Sequence, residues 1–234
     1  MTRNVYQKSL EELHNHIIKM GTMVEEAITD SIKALINKDI ALALKTKDSD
    51  DIIDDQEQLI ERMCLNLIAR QQPIARDLRN ITAALKLITD LERIGDHASD
   101  ISELTISMID STYIKPLIDI PKMAKIAIKM VDMAITSYIE MNEDLALKTC
   151  ASDDYVDELF DNIKFELIAI AKDNPASINQ VVNFLLIAKY LERMADHATN
   201  VAEWVSYVIT GSHEHLAGTH HKDTLKENPF KEIL

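Results

Sequence analysis

Glu92 and Asp96 stand four residues apart within Leu91-Glu92-Arg93-Ile94-Gly95-Asp96-His97-Ala98. Glu192 and Asp196 stand in the same relation within Leu191-Glu192-Arg193-Met194-Ala195-Asp196-His197-Ala198. On a helix, residues four apart share a face, so each motif sets two carboxylates side by side. Like charges at that spacing repel by about 0.2–0.5 kcal/mol. A bound cation reverses the sign of that small penalty, so a metal ion or a cationic partner is the first chemistry these residues suggest.

More carboxylates follow the same periodicity. Asp50, Asp54, Glu57 and Glu61 form one ridge, and Asp153, Asp157 and Asp161 form another. Asp100 and Glu103 continue the first motif, whereas Asn200 and Glu203 continue the second, so the second copy carries less charge. If neighbouring helices align these ridges, about five to seven carboxylate oxygens converge in each copy, an oxygen-rich set that suits Mg²⁺, Ca²⁺, Mn²⁺ or iron. Zinc prefers nitrogen and sulfur. His97 and His197 lie about 100° round the helix from the acids and suit supporting or surface roles. A run of charge on a helix face is ordinarily solvated surface, and the duplication is what argues for more. Ser49 and Ser152 read as caps or near-caps of helix N-termini, where Asp50, Asp51, Asp153 and Asp154 also complement the helix dipole.

The elements that must position these groups are helices in two copies. Leu42-Ala43-Leu44-Lys45-Thr46 recurs unchanged as Leu145-Ala146-Leu147-Lys148-Thr149, and Ser49-Asp50-Asp51 recurs as Ser152-Asp153-Asp154. Helical spacing joins Ile17, Met20, Val24, Ala27, Ile28, Ile32 and Leu35, up to the polar interruption Asn37-Lys38-Asp39. A second helix is expected from about Leu42 to Ala69. Pro73 then ends it and opens a third, from near Ile74 to about Ser111. Lys115 to Pro121 reads as the linker between copies. Helices from Lys122 to Met141, Leu145 to Ala171 and Ser177 to Ile209 complete six, with Asp173-Asn174-Pro175 as a turn. The fold class is therefore all-α: two tandem homologous three-helix up-down bundles resembling spectrin repeats, spanning 1–114 and 115–210. Residues 211–234 form a flexible tail with His213, His215, His220 and His221, a solvated segment with incidental metal affinity. On a helical wheel, Ala84, Leu87, Leu91, Ile94, Ala98, Ile101 and Thr105 make the core stripe of the third helix. Glu92, Asp96, Asp100 and Glu103 then fall on its outward side.

Composition removes several classes. A net charge of −14 argues against nucleic acid and anionic lipid as partners. Cys64 and Cys150 form no C-x-x-C pattern, which leaves no disulfide framework or cysteine zinc site and points to a reducing compartment. With neither a signal peptide nor a long apolar run, the chain reads as soluble and cytoplasmic. No Gly-rich phosphate loop is present. A ferritin-type di-iron oxidase needs inward Glu-x-x-His pairs from facing helices, and Glu11 with His14 is an unmatched instance. The methionines, Met20, Met23, Met130 and Met133 among them, read first as core fillers and second as an adaptable docking surface.

Three segments carry a resemblance: Gln71-Gln72-Pro73-Ile74-Ala75-Arg76-Asp77-Leu78-Arg79, the Leu91 to Ala98 motif, and its second copy at Leu191 to Ala198. Over residues 5 to 210 the chain resembles the PhoU family of bacterial phosphate-signalling regulators. The resemblance implies a metal cluster on each bundle, held by Glu92 and Asp96 or Glu192 and Asp196 with second-helix acids matching Asp50, Asp54, Asp153 and Asp157. It implies a negative regulator of phosphate uptake and phosphate-starvation signalling, not an enzyme. The implied partners are the phosphate ABC transporter ATPase subunit and a phosphate-sensing histidine kinase, and the implied assembly is a homodimer. The expected metal set is Asp50, Asp54, Glu92, Asp96, Asp100, Asp153, Asp157, Glu192, Asp196 and Asn200. The expected metal is iron, with Mg²⁺, Mn²⁺, Ca²⁺ or Zn²⁺ as alternatives, and a metal-free helical scaffold is the rival reading. Arg76 and Arg79, near a helix start, suit phosphate, a partner carboxylate or pairing with nearby acids. The second half departs from the family pattern, because Asp173 to Ile178 lacks the matching arginines.

Overall fold

The computed structural model describes residues 2–71, 73, 75–211 and 230–233, without the side chains of residues 2–5, 71 and 76. Its helices are α1 (Thr2–Asn37), α2 (Ile40–Asp48), α3 (Asp50–Gln71), α4 (Arg76–Ser107), α5 (Asp119–Glu140), α6 (Glu143–Asp173) and α7 (Ile178–Thr210). No strand occurs among the described residues. Because α2 and α3 form one rod broken at Ser49, the chain makes six rods, three to each copy, as the repeat predicts.

The serine expectation holds by position for Ser49, which immediately precedes α3 and whose carbonyl accepts from the N–H groups of Ile52 and Ile53, and is corrected for Ser152. Asp39 and Asn142 are the N-caps, accepting from the backbone N–H groups of Leu42 at 3.0 Å and Leu145 at 3.1 Å. Ser49 also closes α2, its hydroxyl donating back to the Thr46 carbonyl at 2.6 Å instead of to a free N–H of α3. Ser152 lies inside α6, donating to the Lys148 carbonyl at 2.7 Å. A hydroxyl that bonds a carbonyl of the preceding turn competes with the helix ladder instead of capping a free N–H. The second rod is interrupted in the first copy and continuous in the second.

The predicted stripe of α4 is buried throughout, from Ala84 to Thr105. Burying one large aliphatic side chain is worth about 1.5–3 kcal/mol, several times the repulsion between paired acids, so packing sets the rotation of each helix. α4 lies along α7 and α1 along α5, which joins both copies in one continuous core. Gly21 permits the second approach, since a Cβ there would collide with Ile135 of α5. Met20, Met130 and Met133 fill the core, and Met23 is half-buried.

The segment after Gly211 does not stay wholly apart from the body. Phe230 is fully buried, edge-on against Tyr155 of α6 with ring centroids 5.5 Å apart. Residues 212–229, with the four histidines, lie outside the described residues.

Candidate metal centres between the second and third rods

In the first copy, α3 and α4 bring Asp50, Asp54 and Asp96 together, one carboxylate oxygen from each lying within 4.8 Å of the others. Gly95 makes this approach possible. A Cβ there would stand 2.9 Å from Ile53 Cδ1 and 3.6 Å from Asp50 Oδ1. Oδ1 of Asp50 and Oδ1 of Asp54 are inaccessible to solvent and accept no hydrogen bond within the protein. Burial raises the Asp50 carboxyl to about 6, helped by the charges of Asp96 and Asp54. Burial and Asp96 likewise raise Glu92 to about 7, against the pull of Arg93. Glu57 and Asp54 move the same way, chiefly through desolvation. Carboxylates held this close with unbonded oxygens fit a hard cation. Arg93 supplies the countercharge, 2.8 Å from Asp96 and 3.4 Å from Glu92, so a cation must share or displace its exposed guanidinium.

In the second copy, Asp153 and Asp157 of α6 lie beside Glu192 and Asp196 of α7. Asp153 is raised to about 8, first by burial and then by Asp157, Asp196 and Glu192. Asp157 and Asp196 are raised by burial and by Glu192. Lys189 pairs with Glu192, and Arg193 lies 3.6 Å from Asp196.

The outward placement of the acids is corrected in part. Asp153 is only 9% exposed and Glu203 5%. The wheel treats each helix as an edge rod, but α7 is packed by α4, α5 and α6 together and has little open surface. Glu92 and Glu192 are likewise 17% and 13% exposed, lining the cleft between rods.

Asp100 and Asn200 stand differently. Asp100 Oδ2 lies 3.6 Å from His97 Nδ1, and its charge also reaches Asp50. Asn200 donates through Nδ2 across the boundary between copies to Asp90 Oδ1 at 3.3 Å, a bond that leaves the role of its amide oxygen open. Sequence spacing missed this seam. His97 and His197 are not on open surface: their rings lie 5.8 Å apart between α4 and α7, and His97 stacks on Tyr190 at 5.2 Å. Near-identical motifs one copy apart were the available signal that these helices meet. Arg79 makes no ion pair among the described residues, and its Nε is buried without a partner. The Arg76 side chain lies outside the described residues.

Two homologous three-rod bundles, each with carboxylates gathered between its second and third rods, define a class of duplicated helical proteins with paired acidic clefts. The chain belongs to the PhoU family, whose PhoU domain matches residues 17–105 and again residues 120–205. It is 41% identical over 212 residues to the phosphate-specific transport system accessory protein PhoU homolog of Clostridium acetobutylicum, covering 90% of this chain and 97% of that one. The Pseudomonas aeruginosa homolog is 32% identical over 225 residues, covering 95% and 93%. The crystal structure of PhoU from Pseudomonas aeruginosa superposes with a TM-score of 0.84 at 33% identity, covering 88% of this chain and all of that one. The phosphate transport system regulatory protein PhoU from Streptococcus pneumoniae gives 0.84 at 26% identity, covering 90% and 99%. No described helix is long and apolar enough to cross a membrane.

Proposed function

We propose that the chain is a cytoplasmic, non-enzymatic regulator of a phosphate transport system. It restrains phosphate uptake and the phosphate-starvation response by contacting the ATPase subunit of the transporter and a sensor histidine kinase, and it acts as a homodimer. What supports this reading is its near full-length likeness to phosphate-specific transport system accessory proteins, one of them 41% identical.

Metal is held in each acidic cleft, with iron as the first choice and Mg²⁺, Mn²⁺, Ca²⁺ or Zn²⁺ as alternatives. The observation that carries this part is the convergence of Asp50, Asp54 and Asp96 within 4.8 Å. In the second cleft Asp153, Asp157, Glu192 and Asp196 take the corresponding roles. A bound cation supplies positive charge that cancels the repulsion between these groups, and the acids orient it. Glu92 and Asp100 flank the first set.

Deletion of the gene tests the regulatory role. In phosphate-rich medium it is expected to raise phosphate uptake and derepress phosphate-starvation genes, and unchanged expression would refute it.

A further inference from the structure

The two copies differ at one rung between their second and third rods. In the repeated segments Thr46 is followed by Lys47 but Thr149 by Cys150, and beyond the acidic motifs Ser99 and Glu103 correspond to Thr199 and Glu203. In the first copy Lys47 forms an exposed ion pair with Glu103, and Ser99 donates to the Lys47 carbonyl at 3.5 Å. In the second copy the lysine is gone. Cys150 takes its place, with Sγ 4.0 Å from the Thr199 carbonyl, and Glu203 is buried where Glu103 is exposed.

Unbonded polar atoms mark this rung for a cation. Asp153, one turn from Cys150 on α6, is nine-tenths buried, and its Oδ1 has no hydrogen-bond partner among the described residues. Thr199 Oγ1, on the residue that the thiol touches, is buried and equally without one. Burial pushes the Cys150 thiol up to about 12, and the charges of Glu203 and Asp153 add to the rise. The thiol therefore keeps its proton until a cation replaces it. Cys150, Asp153 and Asp157 follow one another at helical spacing on α6, as do Asp196, Thr199 and Glu203 on α7, so the rung continues the second cleft by one turn.

We infer that Cys150, Asp153 and Glu203 form a site for a thiophilic divalent cation of the Zn²⁺ class, an assignment that rests on the second cleft being a metal centre. Cys150 needs no C-x-x-C partner there, because the other ligands come from α6 and α7. On binding, the S–H bond breaks, a sulfur–metal bond forms and the proton passes to solvent. The first cleft has a lysine at this rung and oxygen ligands alone, which suits a hard cation. The two copies thus select different metals.

The test titrates reduced, metal-depleted, full-length protein with Co²⁺, whose thiolate complexes show a sulfur-to-metal charge-transfer band in the near ultraviolet. Wild-type protein is expected to develop that band saturably, and Zn²⁺ to bleach it. Cys150→Ser should abolish the band, whereas Cys64→Ser, and Asp54→Asn with Asp96→Asn, should leave it intact. Glu203→Gln should weaken Co²⁺ binding at this band by at least about tenfold. Co²⁺ bound by the wild type without the band overturns the thiolate site and leaves the carboxylate clefts standing. No bound Co²⁺ at all removes both. A band that survives Cys150→Ser, or that is indifferent to Glu203→Gln, also overturns the assignment.

Discussion

His197 of α7 lies with Nδ1 2.8 Å from Oδ1 of Asp90 on α4, a direct bond between the two copies. A carboxylate only accepts, so the imidazole proton sits on Nδ1. Asn200 donates to the same oxygen at 3.3 Å, and both partners of the His197–Asp90 pair are less than one-fifth exposed. Hydrogen bonds to charged groups contribute about 1.5–3 kcal/mol. His197→Ala is therefore expected to destabilise the protein by about that amount in urea unfolding, and Asp90→Ala by as much or more because it strands two donors. Additive losses in the double variant would show that the pair is not coupled.

Metal binding is expected to follow the clefts separately. Asp54→Asn with Asp96→Asn should remove the metal of the first copy and leave that of the second, read by elemental analysis after depletion and reconstitution. Asp153→Asn with Asp196→Asn should do the converse. Unaltered stoichiometry in both would remove the sites.

The raised carboxyls predict a pH slope. A carboxyl whose pKa is higher folded than unfolded holds its proton better in the folded state, so stability falls as pH rises between the two values. The window runs from about 4, the ordinary carboxyl value, to about 6 for Asp50, 7 for Glu92 and 8 for Asp153. With chelator present, the protein is expected to melt lower at pH 8.5 than at pH 5.5, and saturating divalent cation should flatten the difference. A higher melting point at pH 8.5 with chelator would contradict this.

Asp153→Asn removes a nearly buried anion while keeping its shape. At pH 8.5 with chelator it is expected to stabilise the protein by about 1 kcal/mol or more, seen as roughly 2–4 °C in melting temperature. Lower stability than wild type would argue that the Asp153 carboxylate is satisfied without metal.

Gly95 and Ile53 predict a compensating pair. Where the first copy has Gly95 against Ile53, the second has Ala195 and, by the repeat register, Val156, a side chain smaller by one methylene. Gly95→Ala gains up to about 1 kcal/mol of helix propensity but forces its Cβ on buried Ile53, at about 1–3 kcal/mol for overpacking. It is expected to be net destabilising, and adding Ile53→Val should recover at least about 0.5 kcal/mol beyond additivity. Strict additivity in denaturant titrations would deny the contact.

The sequence alone determined the duplication, the six rods and the face on which each stripe of core residues falls. These features follow from periodicity within one helix, and Leu87, Leu91, Ile94 and Ala98 are buried as their spacing requires. The pairing of Glu92 with Asp96 on one side of one rod was legible for the same reason.

Tertiary structure decided what separate rods do to one another. Asp153 has the same sequence neighbours as Asp50, yet it is nearly buried because α7 sits at the centre of the molecule. Asn200 bonds Asp90 of the other copy, and Phe230 leaves the tail to cover Tyr155. Each outcome depends on which surfaces meet across long stretches of chain, and helical periodicity carries no information about that meeting.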